Sequence, residues 1–184
     1  LLAGLWYINI HTGLNPGGEI RGQIVGLRRD FDGDGRADIL WRNTAGDVYV
    51  SLAAGAINAP VTLQGQSISF VPNDWTIQGT GDFNGDGRAD ILWRNTAGEV
   101  YVWNSNAGSD VSFVGQSLGF IDLGWSIADI GDLNRDNRSD VLWRHANGDV
   151  YAWNSHASGP VAFDGQGLGN TPAAWQIISD FHGV

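Results

Sequence analysis

Oxygen-bearing side chains recur at positions 1, 3, 5 and 9 of a nine-residue stretch that the chain writes three times. The first copy supplies Asp30, Asp32, Asp34 and Asp38, the second Asp82, Asn84, Asp86 and Asp90, the third Asp132, Asn134, Asp136 and Asp140. Such sets suit a hard divalent cation. Calcium takes about six to eight oxygen ligands in a tolerant geometry, and a chain wrapped round an ion presents alternate side chains to it. The backbone carbonyl of position 7, from Arg36, Arg88 or Arg138, is a candidate further ligand, with water completing the shell. The expectation is about three calcium ions per chain, one for each loop.

Position 6 of such a loop turns sharply. Gly35 and Gly87 do this at no steric cost. The third loop has Asn137 there and Arg135 in place of the glycine at position 4, so it is expected to bind most weakly. An EF-hand is excluded: position 12 holds Trp41, Trp93 or Trp143 within a β-type run, where an EF-hand needs a bidentate glutamate and a following helix. A plain Asp-Gly turn needs no metal, but all three copies keep all four oxygen positions. Charge favours an ion. The formal net charge is −10, and ten of the 20 acidic residues lie at these loop positions.

The elements that position the loops read as β throughout. Asp30, Asp82 and Asp132 are 52 and 50 residues apart, and Trp75, Trp125 and Trp175 are 50 and 50 apart. The pairs Gly65-Gln66, Gly115-Gln116 and Gly165-Gln166 keep the same spacing of 50. An internal period of this length is the mark of a repeat architecture. Within each unit, β-branched and aromatic runs are bounded by Gly, Asn and Pro. The first unit has Asp-Ile-Leu-Trp-Arg-Asn (38–43), Asp-Val-Tyr-Val (47–50), Pro-Val-Thr-Leu (60–63) and Trp-Thr-Ile-Gln (75–78). The later units match these runs, with Trp-Gln-Ile-Ile (175–178) as the last. The predicted fold is all-β: three repeats of about 50 residues, each a four-stranded blade of β-propeller type, after an N-terminal β-hairpin. The hairpin takes residues 1–27 and the repeats 28–184, divided at about 30–81, 82–131 and 132–184.

Composition excludes several classes. At 184 residues, with 42% hydrophobic residues and nine Trp, the chain can bury a core. No run of 18 apolar residues exists, so no membrane-inserted helix is expected. The acidic balance offers no basic stripe for nucleic acid. Cysteine is absent, which removes disulfides and thiolate metal sites. Methionine is absent too, so residue 1 is not a translation start and the chain reads as processed or as a piece of something longer. The four His fall at unrelated repeat positions, and no Gly-x-Ser-x-Gly elbow, metalloprotease motif or phosphate loop occurs, so no enzyme is expected.

The segment "DFNGDGRADILWRNTAGEVYVW" (82–103) resembles the FG-GAP/VCBS-type repeats of integrin α-chain propellers and of many bacterial secreted proteins, a resemblance that extends over roughly 28–184. It implies a β-propeller with calcium in an inter-strand loop. The segment "YINIHTGLNPGGEIRGQIVG" (7–26) resembles the end of a CHRD domain, which would lie upstream. Two departures stand out: loop three lacks its glycines, and only Asp180-Phe-His-Gly-Val184 stands where a fourth loop would begin.

Three blades do not close a ring, since closed propellers have about four to eight. The chain is therefore expected to be part of a larger propeller, to close a ring with a second copy, or to stack head to tail by β-strand addition into a filament. The functional expectation is a secreted calcium-binding repeat module at the cell surface or outside the cell, where calcium is high enough to fill modest sites. It would serve interaction, adhesion or assembly, with itself or another extracellular protein as partner. The alternatives are a filament subunit and a carbohydrate-binding lectin with glycan partners. The lectin would stack sugars on Trp103 and Trp153, at strand ends where the first repeat has Ser51. Each of Trp41, Trp93 and Trp143 is expected to pack between blades, and the Arg that follows each, Arg42, Arg94 and Arg144, to pair with an acidic neighbour.

Overall fold

The computed structural model describes residues 7–10, 20–23, 29–56, 59–106, 108, 110–156, 160–172 and 174–178. Thirteen strands and no helix are found among them. Strands β1 (Tyr7–Ile10) and β2 (Ile20–Gln23) form an antiparallel pair, in line with the expected N-terminal hairpin. The first larger sheet holds β3 (Ile39–Arg42), β4 (Asp47–Ala54) and β5 (Thr62–Phe70). The second holds β6 (Trp75–Gly81), β7 (Asp90–Asn95), β8 (Glu99–Asn106) and β9 (Ser112–Phe120). The third repeats the second with β10 (Trp125–Gly131), β11 (Asp140–His145), β12 (Asp149–His156) and β13 (Ala162–Asn170). All pairings are antiparallel between consecutive strands.

The grouping of strands corrects the sequence reading. The run at Trp75 does not close the first unit; β6 opens the second sheet, paired with β7 from Trp75↔Asn95 to Gly81↔Asp90. The acidic loop joins these two strands, so it is a hairpin loop inside a sheet and not the lead-in to one. The chain crosses between sheets instead at Val71–Asp74 and Ile121–Gly124, where Pro72 and the turns before Trp75 and Trp125 interrupt pairing. As a result the first sheet has three strands among the described residues, against four in the other two. The expected last strand, Trp175–Ile178, belongs to no sheet among the described residues, with Trp175 69% and Ile178 95% exposed.

Alternation along the strands decides what each sheet face buries. In β4 Val48 and Val50 point to one face and are fully buried, while Tyr49 points to the other and is exposed. That Val face packs on the second sheet, where Ile91 and Trp93 are buried, with Phe31, Ala89 and Val111 filling the seam. The opposite face of the second sheet, carrying Leu92, Val100 and Val102, packs in the same way on Val141 and Trp143 of the third. The strand that opens each four-stranded sheet, β6 or β10, lies beside its counterpart. Between them runs a cleft of about 460 Å³ lined by residues that include Arg29, Leu40, Gly79 and Asp129. The sheets thus stack in series like blades, and the described residues do not close a ring.

The Trp-Arg pairs behave partly as expected. Trp93 and Trp143 are buried between sheets, at 1% and 2% exposure. Among the described residues Arg42, Arg94 and Arg144 form no ion pair with a carboxylate. Arg94 donates to the carbonyls of Ile121, Asp122 and Trp125, and Arg42 to those of Val71, Pro72 and Trp75. Five-donor guanidinium groups suit this task, because the inter-sheet linker has carbonyls that no strand satisfies. Each guanidinium also lies over the next sheet's buried indole, Arg42 at 5.6 Å from Trp93 and Arg94 at 5.4 Å from Trp143.

Candidate metal centre

Each acidic loop folds round its own first carboxylate. In loop one Asp30 Oδ1 accepts from the backbone N–H of Gly33 (2.7 Å) and Asp34 (3.1 Å), and Oδ2 from Gly35 (2.8 Å). Asp82 and Asp132 accept from the corresponding amides of loops two and three. Position 9 is a latch. Asp38 receives the N–H of Phe31 at the loop's start and of Ala53 in β4. Asp90 receives those of Phe83 and Ser105, and Asp140 those of Leu133 and Ser155. One carboxylate therefore joins a loop to the second strand after it, β4, β8 or β12, which the spacing alone does not announce.

Positions 4 and 6 both take a positive φ: 80° and 86° in loop one, 76° and 86° in loop two. In loop three Arg135 and Asn137 hold the same conformation at φ 66° each, where side chains are strained. Packing explains why position 4 is glycine in the first two loops. A Cβ on Gly33 would meet Arg88 Cγ at 3.2 Å, and one on Gly85 would meet the Arg138 side chain. The arginine of each loop lies on the glycine of the loop before it. Among the described residues no further loop lies on Arg135.

In loop one the carboxylate oxygens of Asp30, Asp32 and Asp38 lie within 4.8 Å of one another, a group that does not include Asp34. Loops two and three keep the backbone arrangement but place the carboxamides of Asn84 and Asn134 where Asp32 stands, leaving two carboxylates and an amide oxygen. At position 5 the carboxylates face an arginine that the sequence offered only as a carbonyl: Arg36–Asp34 and Arg88–Asp86 at 2.6 Å, and Arg138–Asp136 at 3.9 Å. These pairs are partly exposed, and such pairs contribute little, so a cation can displace them.

Electrostatically the loops are short of positive charge. Burial holds the carboxyls of Asp30, Asp38, Asp82 and Asp140 above their ordinary value, and neighbouring carboxylates add to the effect in each. Asp90, fully buried, is pushed up to about 7 by burial first and then by Asp82 and Asp86. Hard oxygen donors converging on one point, with charge that burial disfavours, fit a hard divalent cation.

The loops are also joined to one another. Ala89 N–H donates to the Asp30 carbonyl and Ser139 N–H to the Asp82 carbonyl, both at 2.7 Å. The Ser105 and Ser155 hydroxyls donate to the Phe31 and Phe83 carbonyls of the preceding loop. Sequence reasoning missed these hydroxyls, whose only signal was their recurrence at a spacing of 50.

Trp103 and Trp153 are half-buried. Trp103 packs at 5.0 Å from Trp93 and 5.8 Å from Phe113, and Trp153 at 5.0 Å from Trp143 and 5.3 Å from Phe163. In the first sheet Ser51 stands at that position and accepts the Trp41 indole N–H at 3.0 Å. The indole N–H groups of Trp93 and Trp143 have no oxygen partner, and the ring of Trp103 or Trp153 takes the place of that hydroxyl. Both rings also line shallow crevices of about 240 and 300 Å³. Because it is part of the packing, Trp103→Ala is expected to lower stability by about 3 kcal/mol. A denaturant titration measures this, and an unchanged midpoint would mean that the ring packs on nothing that matters.

The fold and loops define an all-β repeat protein of stacked antiparallel sheets, each of the described acidic loops leading into a Leu-Trp-Arg strand. Residues 82–143, from the second loop into β11, match the family model described as FG-GAP-like repeat, and residues 1–24 match the CHRD domain model. These are the two families that the sequence resembles, the first over a shorter span than the motif suggested. Comparison with curated proteins and with solved structures finds no match.

Proposed function

We propose that this chain is a calcium-loaded extracellular interaction or assembly module in which calcium is structural. The observation that carries the reading is the triple loop: the same oxygen donors in each copy, three of them gathered within 4.8 Å in loop one, with buried carboxylates short of positive charge. Asp30, Asp32, Asp34 and Asp38, and their counterparts in loops two and three, would hold the ion, with the carbonyls of Arg36, Arg88 and Arg138 as further ligands. FG-GAP repeats often bind calcium. A bound cation would cancel the repulsion within each loop. Since the loops are hydrogen-bonded in series, it would stiffen the stack of sheets and not only the loop that holds it. No reaction is assigned to the site, and its partner is a protein surface outside the cell.

Native mass spectrometry in a calcium-containing volatile buffer tests the reading. About three calcium ions per chain are expected, and a chain that carries none sinks it. The loops should not be equal. Arg135→Gly with Asn137→Gly relieves about 1 kcal/mol of left-handed strain per residue. It should therefore raise the third loop's calcium affinity roughly tenfold or more, read by isothermal titration calorimetry; unchanged affinity would show that strain does not limit the loop.

A further inference from the structure

Two contacts between sheets are built on one pattern, and the first sheet shows one half of that pattern uncovered. Where the first sheet meets the second, Phe31 packs edge-on against Phe113 at 5.9 Å, and the Gln66 carboxamide both donates to the Val111 carbonyl and accepts its N–H. Where the second meets the third, Phe83 packs on Phe163 at 6.1 Å and Gln116 donates to the Val161 carbonyl. Val111 and Val161 are each 3% exposed, and Trp93 and Trp143 are buried under the preceding sheet's arginine.

On the first sheet the same positions are open. Val61 stands at the position of Val111 and Val161 and is 69% exposed; Trp41 is 52% exposed and so is Leu63, at the position of Phe113 and Phe163. On the third sheet the complementary residues are Leu133, Arg144 and Gln166. Gln166 is exposed, and Arg144 donates to the Thr171 and Pro172 carbonyls of its own linker, as Arg42 and Arg94 do to theirs. The aromatic pair changes at both open ends together: Phe31 with Phe113, Phe83 with Phe163, then Leu133 at one end and Leu63 at the other.

We infer that the chain associates end to end with a second copy of itself, the open face of its first sheet receiving the third sheet of the next copy. This rests on reading the chain as an assembly module, and it names both the partner and the surface. The contact is heterologous, so it builds a ring if the rotation closes and a filament if it does not. It continues the two contacts already inside the chain, with Leu133 on Leu63, Gln166 on the backbone of Val61, and Arg144 over Trp41. The inner part of the third sheet's face, Leu142 and Ala152, is already buried, so the rim carries the contact. Two substitutions make it weaker than the internal pair. Ala53 cannot donate where Ser105 and Ser155 do, and Arg135 replaces the glycine on which the next loop's arginine rests. The association is therefore reversible and dependent on concentration.

The test is native mass spectrometry and sedimentation velocity of the whole chain in calcium, alone and with two surface variants. Val61→Asp blocks the first sheet's face, and Gln166→Lys blocks the third sheet's rim; both positions are exposed, so both variants fold. Wild type is expected to associate as its concentration rises, and each variant alone to associate at least about tenfold more weakly. An equimolar mixture of the two should recover a one-to-one dimer, because each keeps the half that the other lacks. A wild-type chain that stays monomeric while carrying calcium overturns this inference and leaves the calcium reading standing. So do variants that associate like wild type, or a mixture that yields no dimer. A chain that associates but carries no calcium overturns the calcium reading and leaves the interface standing.

Discussion

Chelating calcium at neutral pH is expected to lower the unfolding midpoint of this chain by about 20 °C. Each site filled at about 100 times its dissociation constant adds roughly 2.7 kcal/mol, about 8 kcal/mol for three sites. In a domain of this size 1 kcal/mol moves the midpoint by about 2–4 °C. The loss should be greatest at neutral and higher pH. In the metal-free protein burial raises Asp90 from 3.8 to about 7, so the folded state binds a proton more tightly than the unfolded state does. Stability of the metal-free chain is full below the unfolded value and is lost as pH rises through about 7. With calcium the slope reverses, because the cation needs ionised ligands and is displaced as they protonate. Calorimetric scans at several pH values, with calcium or with chelator, measure both slopes. Superimposable curves would remove calcium from the account of this fold.

The second large effect is at the latch. Asp90→Ala removes the acceptor of two buried backbone N–H groups, those of Phe83 and Ser105. Each donor left unpaired costs about 1–3 kcal/mol, so about 4 kcal/mol is expected even in chelator. Asp86→Ala should differ in kind. Asp86 is exposed and pairs with Arg88 at the surface, so its loss should weaken calcium binding at loop two with little change in metal-free stability. Chemical denaturation with and without calcium separates the two. Equal metal-free losses would show that position 9 is a ligand and nothing more.

The calcium prediction depends on residues that could be read directly. Alternating oxygens at positions 1, 3 and 5 are a local pattern, and the loop's own backbone amides hold Asp30, Asp82 and Asp132 where the spacing puts them. The need for a positive φ at position 6 was legible for the same reason, down to Asn137 in the third loop. Strand identity was also legible, because period-two alternation and β-branched residues are properties of short segments. Local pattern does not say which strands share a sheet. The run at Trp75 could end one unit or begin the next with equal propensity. The nine-residue loop decides, because it closes β6 and β7 into a hairpin while the linker before β6 breaks pairing.

The arginines show the same division. That Arg42, Arg94 and Arg144 recur beside a tryptophan was visible, but their partners were not. A guanidinium goes to whatever acceptors burial leaves unpaired, and here those are linker carbonyls far along the chain. By itself, then, the sequence determined the all-β repeat, the acidic loops and their oxygen donors, because each is set within a few residues of chain. Only the tertiary structure decided how strands are grouped, that position 9 latches a loop to a distant strand, and that Trp41, Val61 and Leu63 of the first sheet are left open. Those features depend on which surfaces stacking leaves covered or open, and no local stretch of sequence encodes that.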